Sequence, residues 1–166
     1  MSETVGELRN IVLVGHGGSG KTSLAEALLF DAGVTNRLGS VDNGSSVMDF
    51  EPEEVRRNVS INAAFHQYPW EKCRVNIIDT PGDANFFSDT RSCLQAGDGA
   101  VVVVEAVDGV KVQTEQAWEF ADQLEMPRVV FINKMDRDRA DFFKTVKDLA
   151  ETFTPKPTLQ IGRAHV

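Results

Sequence analysis

GHGGSGKT, residues 15–22, is the stretch that decides the fold of this chain, because it matches the pattern G-x-x-x-x-G-K-[ST]. The glycines let the backbone turn its N–H groups inward around a phosphate, and the next helix adds the positive end of its dipole. Lys21 should reach the β- and γ-phosphates of a nucleotide, and the Thr22 hydroxyl should bind Mg²⁺. The predicted phosphate-binding residues are Gly15, His16, Gly17, Gly18, Ser19, Gly20, Lys21 and Thr22.

An ordinary Gly-rich turn is the alternative to a phosphate loop. It is disfavoured because an apolar run precedes the loop and a helical pattern follows it. The predicted strands are residues 10–14, 61–68, 74–79, 100–105 and 128–133. The predicted helices are residues 22–31, 113–124 and 138–152. This alternation predicts an α/β domain of the P-loop NTPase type, a mostly parallel central sheet with helices on both faces.

Residues 33–60 lie between the first predicted helix and the second predicted strand. They are polar, contain Gly and Asn, and show little periodicity. The sequence therefore predicts a long mobile loop, and a loop of this length in a compact domain is usually functional.

A second motif, Asp79-Thr80-Pro81-Gly82, begins where a predicted strand ends. Ligands of such sheets bind at the carboxyl ends of the strands, so Asp79 can hold Mg²⁺ through a water. Gly82 has no Cβ, so its N–H can approach the γ-phosphate. The alternative for this weak motif is a plain turn, and its position after the phosphate loop favours the functional interpretation.

A third motif, Asn133-Lys134-Met135-Asp136, follows the last predicted strand. The Asp136 carboxylate can accept two hydrogen bonds from the N1–H and N2–H₂ groups of guanine, a pair that adenine lacks. We expect Asn133 to tie the segment to the phosphate loop and the Lys134 stem to lie along the base. The alternative is a polar sequence at the start of a helix, which the other motifs disfavour.

The composition and charge of the chain limit the classes of partner and the location that it can have. The formal net charge is -8, which argues against direct binding of nucleic acid and favours a soluble surface. No apolar run reaches the roughly 18 residues of a membrane helix, and the N-terminus lacks the features of a signal peptide. The sequence predicts a cytoplasmic monomer whose two cysteines, Cys73 and Cys93, stay reduced.

With these motifs in order, the chain resembles the translational GTPases, most closely elongation factor G. The resemblance runs from residue 9 to about residue 159 and is most specific in GHGGSGKTS, in MDF and RNVSI at 48–50 and 57–61, in DTPGDANF, and in NKMDRDRADF. It implies GTP or GDP and Mg²⁺ as ligands and the ribosome as partner. It also places Ser60 where the family has a switch threonine that binds Mg²⁺ and senses the γ-phosphate, and it places Ser23 at the α-phosphate. Residues 33–60 match the first switch segment, and the stretch after Asp79 matches the second.

The chain departs from the family at several positions. Asp83 stands where the family has a histidine that helps to place the attacking water, and a carboxylate there would repel the γ-phosphate. Gly17 and Gly18 replace an apolar residue and an aspartate, while Asn58 and Ser60 replace a glycine and a threonine. The resemblance implies as catalytic residues Lys21, Gly82 and Asp83.

Three hypotheses follow from these residues. The first is a ribosome-dependent GTPase. The second is a GTP-controlled binding switch of the same fold whose hydrolysis is impaired by Asp83. The third is a P-loop protein of other specificity, such as an ATP-dependent kinase, against which Asp136 argues.

The domain boundaries are also predicted. Residues 1–160 should form a GTP-binding domain that is truncated at its C-terminus and lacks the last strand of the family, which carries a further guanine contact. The final six residues, IGRAHV, match the translation of a common sequencing-adapter string, so a non-native tail is expected at 161–166.

Overall fold

Five strands form a single sheet in the computed structural model, which describes residues 5–154 and 156–158. The strands are β1 (Leu8–Val14), β2 (Ala64–Trp70), β3 (Cys73–Asp79), β4 (Gly99–Glu105) and β5 (Arg128–Asn133). Their order across the sheet is β2-β3-β1-β4-β5. The strand β2 is antiparallel to its neighbour, whereas the pairs β3-β1, β1-β4 and β4-β5 are parallel.

Five α-helices lie in the described part of the chain, and all but the second pack against the two faces of the sheet. They are α1 (Lys21–Asp31), α2 (Pro52–Arg57), α3 (Phe87–Ala96), α4 (Val112–Gln123) and α5 (Phe142–Thr152). Short 3-10 helices lie at Val5–Glu7 and Ala84–Phe86. Among the residues that the structure describes, no helix combines the length and the apolar character needed to cross a bilayer.

The core is divided by the sheet into two clusters, and β1 contributes to both. Val12 and Val14 face one cluster with residues of α3, α4 and α5, whereas Leu13 faces the other with residues of α1. All three side chains are fully buried, because β1 lies between β3 and β4 with helices on both faces. This explains why the strand is an unbroken apolar run rather than an alternating one.

Two helices are not predicted by the sequence pattern. α2 interrupts the segment predicted as loop over 33–60, so that prediction is wrong for residues 52–57. Its start signals are local: Pro52 opens the helix, and Glu51 and Glu54 form a capping box. α3 follows the second motif and buries only Thr90 and Leu94, which is too sparse a pattern to reveal a helix.

Several predicted boundaries also move. The helix predicted over 138–152 begins only at Phe142, where the Asp141 side chain caps it by accepting a hydrogen bond from the Lys144 N–H. The strand predicted over 61–68 lies at Ala64–Trp70. The tail predicted at 161–166 and the domain boundary predicted at residue 160 lie outside the described residues.

Candidate nucleotide-binding site

The three sequence motifs and the end of the first switch segment line one cavity of about 840 Å³ at the carboxyl ends of the strands. The predicted site residues on its wall are His16, Gly17, Gly18, Gly20, Lys21, Thr22, Ser23, Ser60, Gly82, Asp83, Lys134 and Asp136. The remaining four predicted site residues do not themselves line the cavity, namely Gly15, Ser19, Asp79 and Asn133. The fold thus gathers residues that are more than a hundred positions apart in the sequence.

Close packing holds the phosphate loop against the third motif. Gly20 has φ 94°, and a Cβ there would lie 2.2 Å from Asn133 Nδ2. The Asn133 amide donates a hydrogen bond of 2.9 Å to the Ser19 carbonyl. This is the tie between the two segments that the sequence predicted, and only glycine leaves room for it.

The Lys21 side chain is folded across the phosphate loop. Its Nζ donates hydrogen bonds to the carbonyl oxygens of Gly15 and His16, at 3.1 and 3.0 Å. The residue is only 6% exposed, and this burial lowers the pKa of its ammonium group, while the Asp79 carboxylate opposes the shift. A buried cation with carbonyl partners in a glycine-rich loop is well placed to bind phosphate oxygens.

The second motif packs against the same loop. A Cβ on Gly82 would lie 2.4 Å from Gly17 N and 2.6 Å from Lys21 Nζ, so a larger residue would push the two segments apart. Asp83 follows on the exposed side, where its Oδ1 accepts hydrogen bonds from Asn85 N and Nδ2, each 2.8 Å long. The Asp83 carboxylate therefore caps the 3-10 helix Ala84–Phe86 while it lines the cavity.

Two hydroxyl groups and two carboxylates meet beside Lys21. Thr22 Oγ1 donates to Asp79 Oδ2 at 2.6 Å, and Ser60 Oγ donates to Asp49 Oδ1 at 2.8 Å. The two hydroxyl oxygens are 3.2 Å apart. Each hydroxyl proton is donated to a carboxylate, so the lone pairs of both hydroxyl oxygens remain available to bind one cation.

Only one oxygen of the Asp79 carboxylate is hydrogen-bonded within the described part of the chain. Asp79 is 2% exposed, and its Oδ1 has no hydrogen-bond partner among the residues that the structure describes. Burial raises the pKa of Asp79 to about 6, against the opposing charge of Lys21 and the hydrogen bond from Thr22. Oxygen donors of this kind suit Mg²⁺, so the residues present fit the ion that the sequence predicted.

Asp49 belongs to this cluster, although sequence reasoning did not select it as a site residue. It is 6% exposed, and burial raises the pKa of its carboxyl group while the hydrogen bond from Ser60 lowers it. The available signal was its place in the MDF segment, one of the family-specific stretches.

The third motif forms another part of the wall. Lys134 has φ 58° and its Nζ pairs with Glu105 Oε2 at 3.0 Å. Asp136 is exposed and lines the cavity with Lys134 and Arg137. A base entering this part of the cavity would bury the Asp136 carboxylate, as recognition by paired hydrogen bonds requires.

His16 places an imidazole on the wall of the cavity. Its Nδ1 lies 3.4 Å from Thr114 Oγ1. Burial, with the nearby charges of Lys21 and Lys111, lowers its pKa to about 4, so the ring is neutral at neutral pH. A neutral ring adds no charge to the phosphate loop, which leaves Lys21 as the cation of that loop.

Comparisons with known proteins agree with this geometry. The sequence profile described as elongation factor Tu GTP binding domain matches residues 6–162. Elongation factor G 2 of Borreliella burgdorferi is 40% identical over 155 residues, which are 93% of this chain and 23% of that protein. The mitochondrial ribosome-releasing factor 2 of Debaryomyces hansenii is 41% identical over 151 residues, 91% of this chain and 18% of that protein.

A solved structure confirms the predicted α/β P-loop architecture. A crystal structure of a protein from Thermus thermophilus superposes with a TM-score of 0.83 at 38% identity, covering 87% of this chain and 22% of that one. The chain thus spans less than a quarter of the length of each of these three relatives.

Proposed function

Because the chain belongs to the elongation factor Tu GTP binding domain family, as its motifs predicted, we propose that it binds and hydrolyses GTP within an elongation-factor-G-like translation factor. The observation that supports this most strongly is the cavity itself. It joins a buried lysine of the phosphate loop to the exposed carboxylate of an Asn-Lys-x-Asp segment. The family match also argues against the third hypothesis, an ATP-dependent kinase.

The charges around the cavity support a polyphosphate ligand. Lys21, Lys111, Lys134 and Arg137 line it together with three aspartates, Asp42, Asp83 and Asp136, so the cavity is less acidic than the whole chain, whose formal net charge is -8. Cations gathered in a cleft raise the local concentration of an anionic ligand. The acidic remainder of the chain does not favour nucleic acid, so the nucleotide is the anion that this cavity fits.

Magnesium is part of the proposal. Thr22 and Ser60 would hold the ion through their hydroxyl oxygens, and Asp79 through a water. Ser60 would do so in the GTP state, as the switch residue that senses the γ-phosphate. When bound, the ion neutralises charge on the β- and γ-phosphates. The chain's own contribution is to keep the hydroxyl oxygens 3.2 Å apart with their protons directed away.

The proposed roles in hydrolysis follow the order of the motifs. Water adds to the γ-phosphorus and the bond to the bridging oxygen breaks, which yields GDP and phosphate. Lys21 would stabilise charge on the phosphates, and the Gly82 N–H would approach the γ-phosphate. Asp83 lies next in the chain and lines the cavity, where the family has a water-placing histidine.

The second candidate function is a GTP-controlled switch with impaired hydrolysis. The observation that favours it is the Asp83 carboxylate, which faces the cavity and is already bonded to Asn85 N and Nδ2. A carboxylate at this position adds negative charge close to an anionic substrate.

Asp83→His should speed ribosome-stimulated GTP hydrolysis in the intact protein that contains this chain. Removing the repulsion between Asp83 and the γ-phosphate should raise the single-turnover rate by about tenfold or more. Asp83→Asn is the matched variant, because it removes the charge and keeps an oxygen that can accept from Asn85 N. The affinity for GDP should stay the same, since the proposed place of Asp83 is beside the γ-phosphate, which GDP lacks.

Single-turnover hydrolysis with ribosomes separates the outcomes. Faster rates for both variants support repulsion as the limit on turnover. Slower rates for both would show that the chain uses the aspartate in catalysis, and equal rates would remove Asp83 from the catalytic residues.

The wider setting belongs to the proposal as well. The relatives are named as factors of elongation and ribosome release, so we propose the ribosome as the partner of the intact protein. Three further statements stay predictions: a monomer, no direct contact with nucleic acid, and a cytoplasmic location. The mitochondrial relative shows that similar proteins also occur in an organelle.

A further inference from the structure

A buried carboxylate accepts hydrogen bonds from the backbone at the end of the first switch segment. Glu54 lies in α2 and is only 2% exposed. Its Oε1 accepts hydrogen bonds from Ile61 N and Asn62 N, at 2.8 and 2.9 Å, and its Oε2 accepts from Glu51 N at 3.0 Å. A buried charge is costly unless it is hydrogen-bonded, and here three backbone N–H groups satisfy it.

These contacts enclose Ser60 from both sides. Ahead of Ser60, the N–H groups of Asn58 and Val59 donate to the Glu54 carbonyl. Beyond Ser60, the N–H groups of Ile61 and Asn62 donate to the Glu54 side chain. One residue thus binds the chain immediately before and immediately after Ser60, which fixes the path of the backbone through it.

The position of Ser60 matters because of what its hydroxyl reaches. Ser60 Oγ lies 3.2 Å from Thr22 Oγ1 and 2.8 Å from Asp49 Oδ1. A shift of about 1 Å would take both distances outside the range of a hydrogen bond. The proposed cation site therefore depends on the position of residues 58–62, whose backbone is hydrogen-bonded to Glu54.

We propose that Glu54 is a positioning residue, which places Ser60 for the magnesium-bound GTP state without touching nucleotide or metal. The inference rests on the proposed function, in which Ser60 binds Mg²⁺ and senses the γ-phosphate. A group that is already in place when the ligand arrives costs no ordering on binding. Glu54 thus strengthens the binding of GTP over that of GDP.

The test measures binding of a fluorescent, non-hydrolysable GTP analogue and of GDP to the 166-residue chain, with MgCl₂ and with EDTA. Glu54→Ala removes both acceptor oxygens, and with them three hydrogen bonds, and should weaken binding of the analogue in Mg²⁺ about tenfold, as expected for lost hydrogen bonds to a charged group. GDP affinity should change by less than about twofold, because the proposed contact of Ser60 is specific to the γ-phosphate state.

Glu53→Ala is the matched control. Glu53 is the neighbour of Glu54 in α2, but its side chain is 41% exposed and pairs with Arg56 and Arg57 on the same helix. Exposed pairs of this kind contribute little, so both affinities should match those of the unchanged chain.

Glu54→Gln covers the case in which the alanine variant does not fold. The amide keeps one oxygen for Ile61 N and Asn62 N but turns an NH₂ group towards Glu51 N, so an intermediate loss of analogue binding is expected. Because an amide oxygen is a weaker acceptor than a carboxylate, hydrogen exchange at the Ile61 and Asn62 amides should be faster in this variant, and it should be unchanged in Glu53→Ala.

Ser60→Ala tests the magnesium role of Ser60 separately from the positioning role of Glu54. If Ser60→Ala loses the preference for the analogue in Mg²⁺ while the Glu54 variants keep it, Glu54 does not position Ser60. Equal weakening of GDP and analogue by the Glu54 variants would reduce Glu54 to a structural role and also overturn the inference. If Ser60→Ala itself binds like the unchanged chain, the proposed magnesium role of Ser60 fails first.

Discussion

Replacement of Lys21 by alanine should nearly abolish nucleotide binding. The Nζ group is buried at the phosphate loop, where the Gly15 and His16 carbonyl oxygens and the Asp79 charge accompany it. A cation facing several phosphate charges in a partly water-excluded loop interacts far more strongly than it would in water. Its loss should weaken GDP binding by a factor of about a thousand, or ~4 kcal/mol.

Calorimetric titration with GDP in Mg²⁺ measures this loss. Lys147→Ala is the control, because Lys147 does not line the cavity, is 74% exposed and pairs with Glu151 on the same helix. The control should bind GDP within about threefold of the unchanged chain. A Lys21→Ala chain that melts normally and keeps its affinity for GDP would contradict the assignment of the phosphate loop.

Asp136→Asn should change the base that the chain prefers. Guanine presents two donors to a carboxylate, whereas xanthine presents a carbonyl at the N2 position, to which an amide can donate. Asp136 is exposed and lines the cavity beside Lys134, so a bound base would cover it. A site that leaves buried polar groups unpaired rejects its ligand, so GTP should bind about a hundredfold more weakly while XTP binds more tightly.

Competition between GTP and XTP for a fluorescent GDP derivative gives the ratio of the two affinities. Asp138→Asn is the matched control: the same substitution two positions later, at an exposed aspartate that does not line the cavity. That variant should keep the ratio of the unchanged chain. An unchanged ratio in Asp136→Asn would mean that Asp136 does not contact the base.

The sequence predicted the sheet well because burial on both faces leaves a clear pattern. β5 occupies the predicted residues, Arg128–Asn133, and the central strand β1 contains the predicted run NIVLV. The edge strand β2 begins three residues later than predicted, at Ala64, and ends two residues later, at Trp70. The Ile61 and Asn62 N–H groups bind the Glu54 carboxylate, so the ladder with β3 begins only at Ala64.

The sequence predicted those contacts of the site that belong to its motifs or to the family resemblance, and it missed those made within the first switch segment. The phosphate loop and the Asn133 amide could be assigned from local patterns. The resemblance placed Ser60 and Thr22 on one Mg²⁺, and their hydroxyl oxygens lie 3.2 Å apart. The hydrogen bond from Ser60 to Asp49 was not predicted, because it depends on how the first switch segment folds back. The sequence pattern does not predict that path. α2 is only six residues long, and Glu54, which anchors the segment, is one of several acidic residues in this stretch.

The most direct test of guanine-nucleotide binding is a calorimetric titration of the unchanged chain with GDP and, in parallel, with ADP, both in Mg²⁺. We expect GDP to bind at one site and ADP to bind at least about a hundredfold more weakly, because adenine offers no donor pair to Asp136. Equal affinities for the two nucleotides, or no binding of GDP to a chain that melts cooperatively, would contradict guanine-nucleotide binding at this cavity.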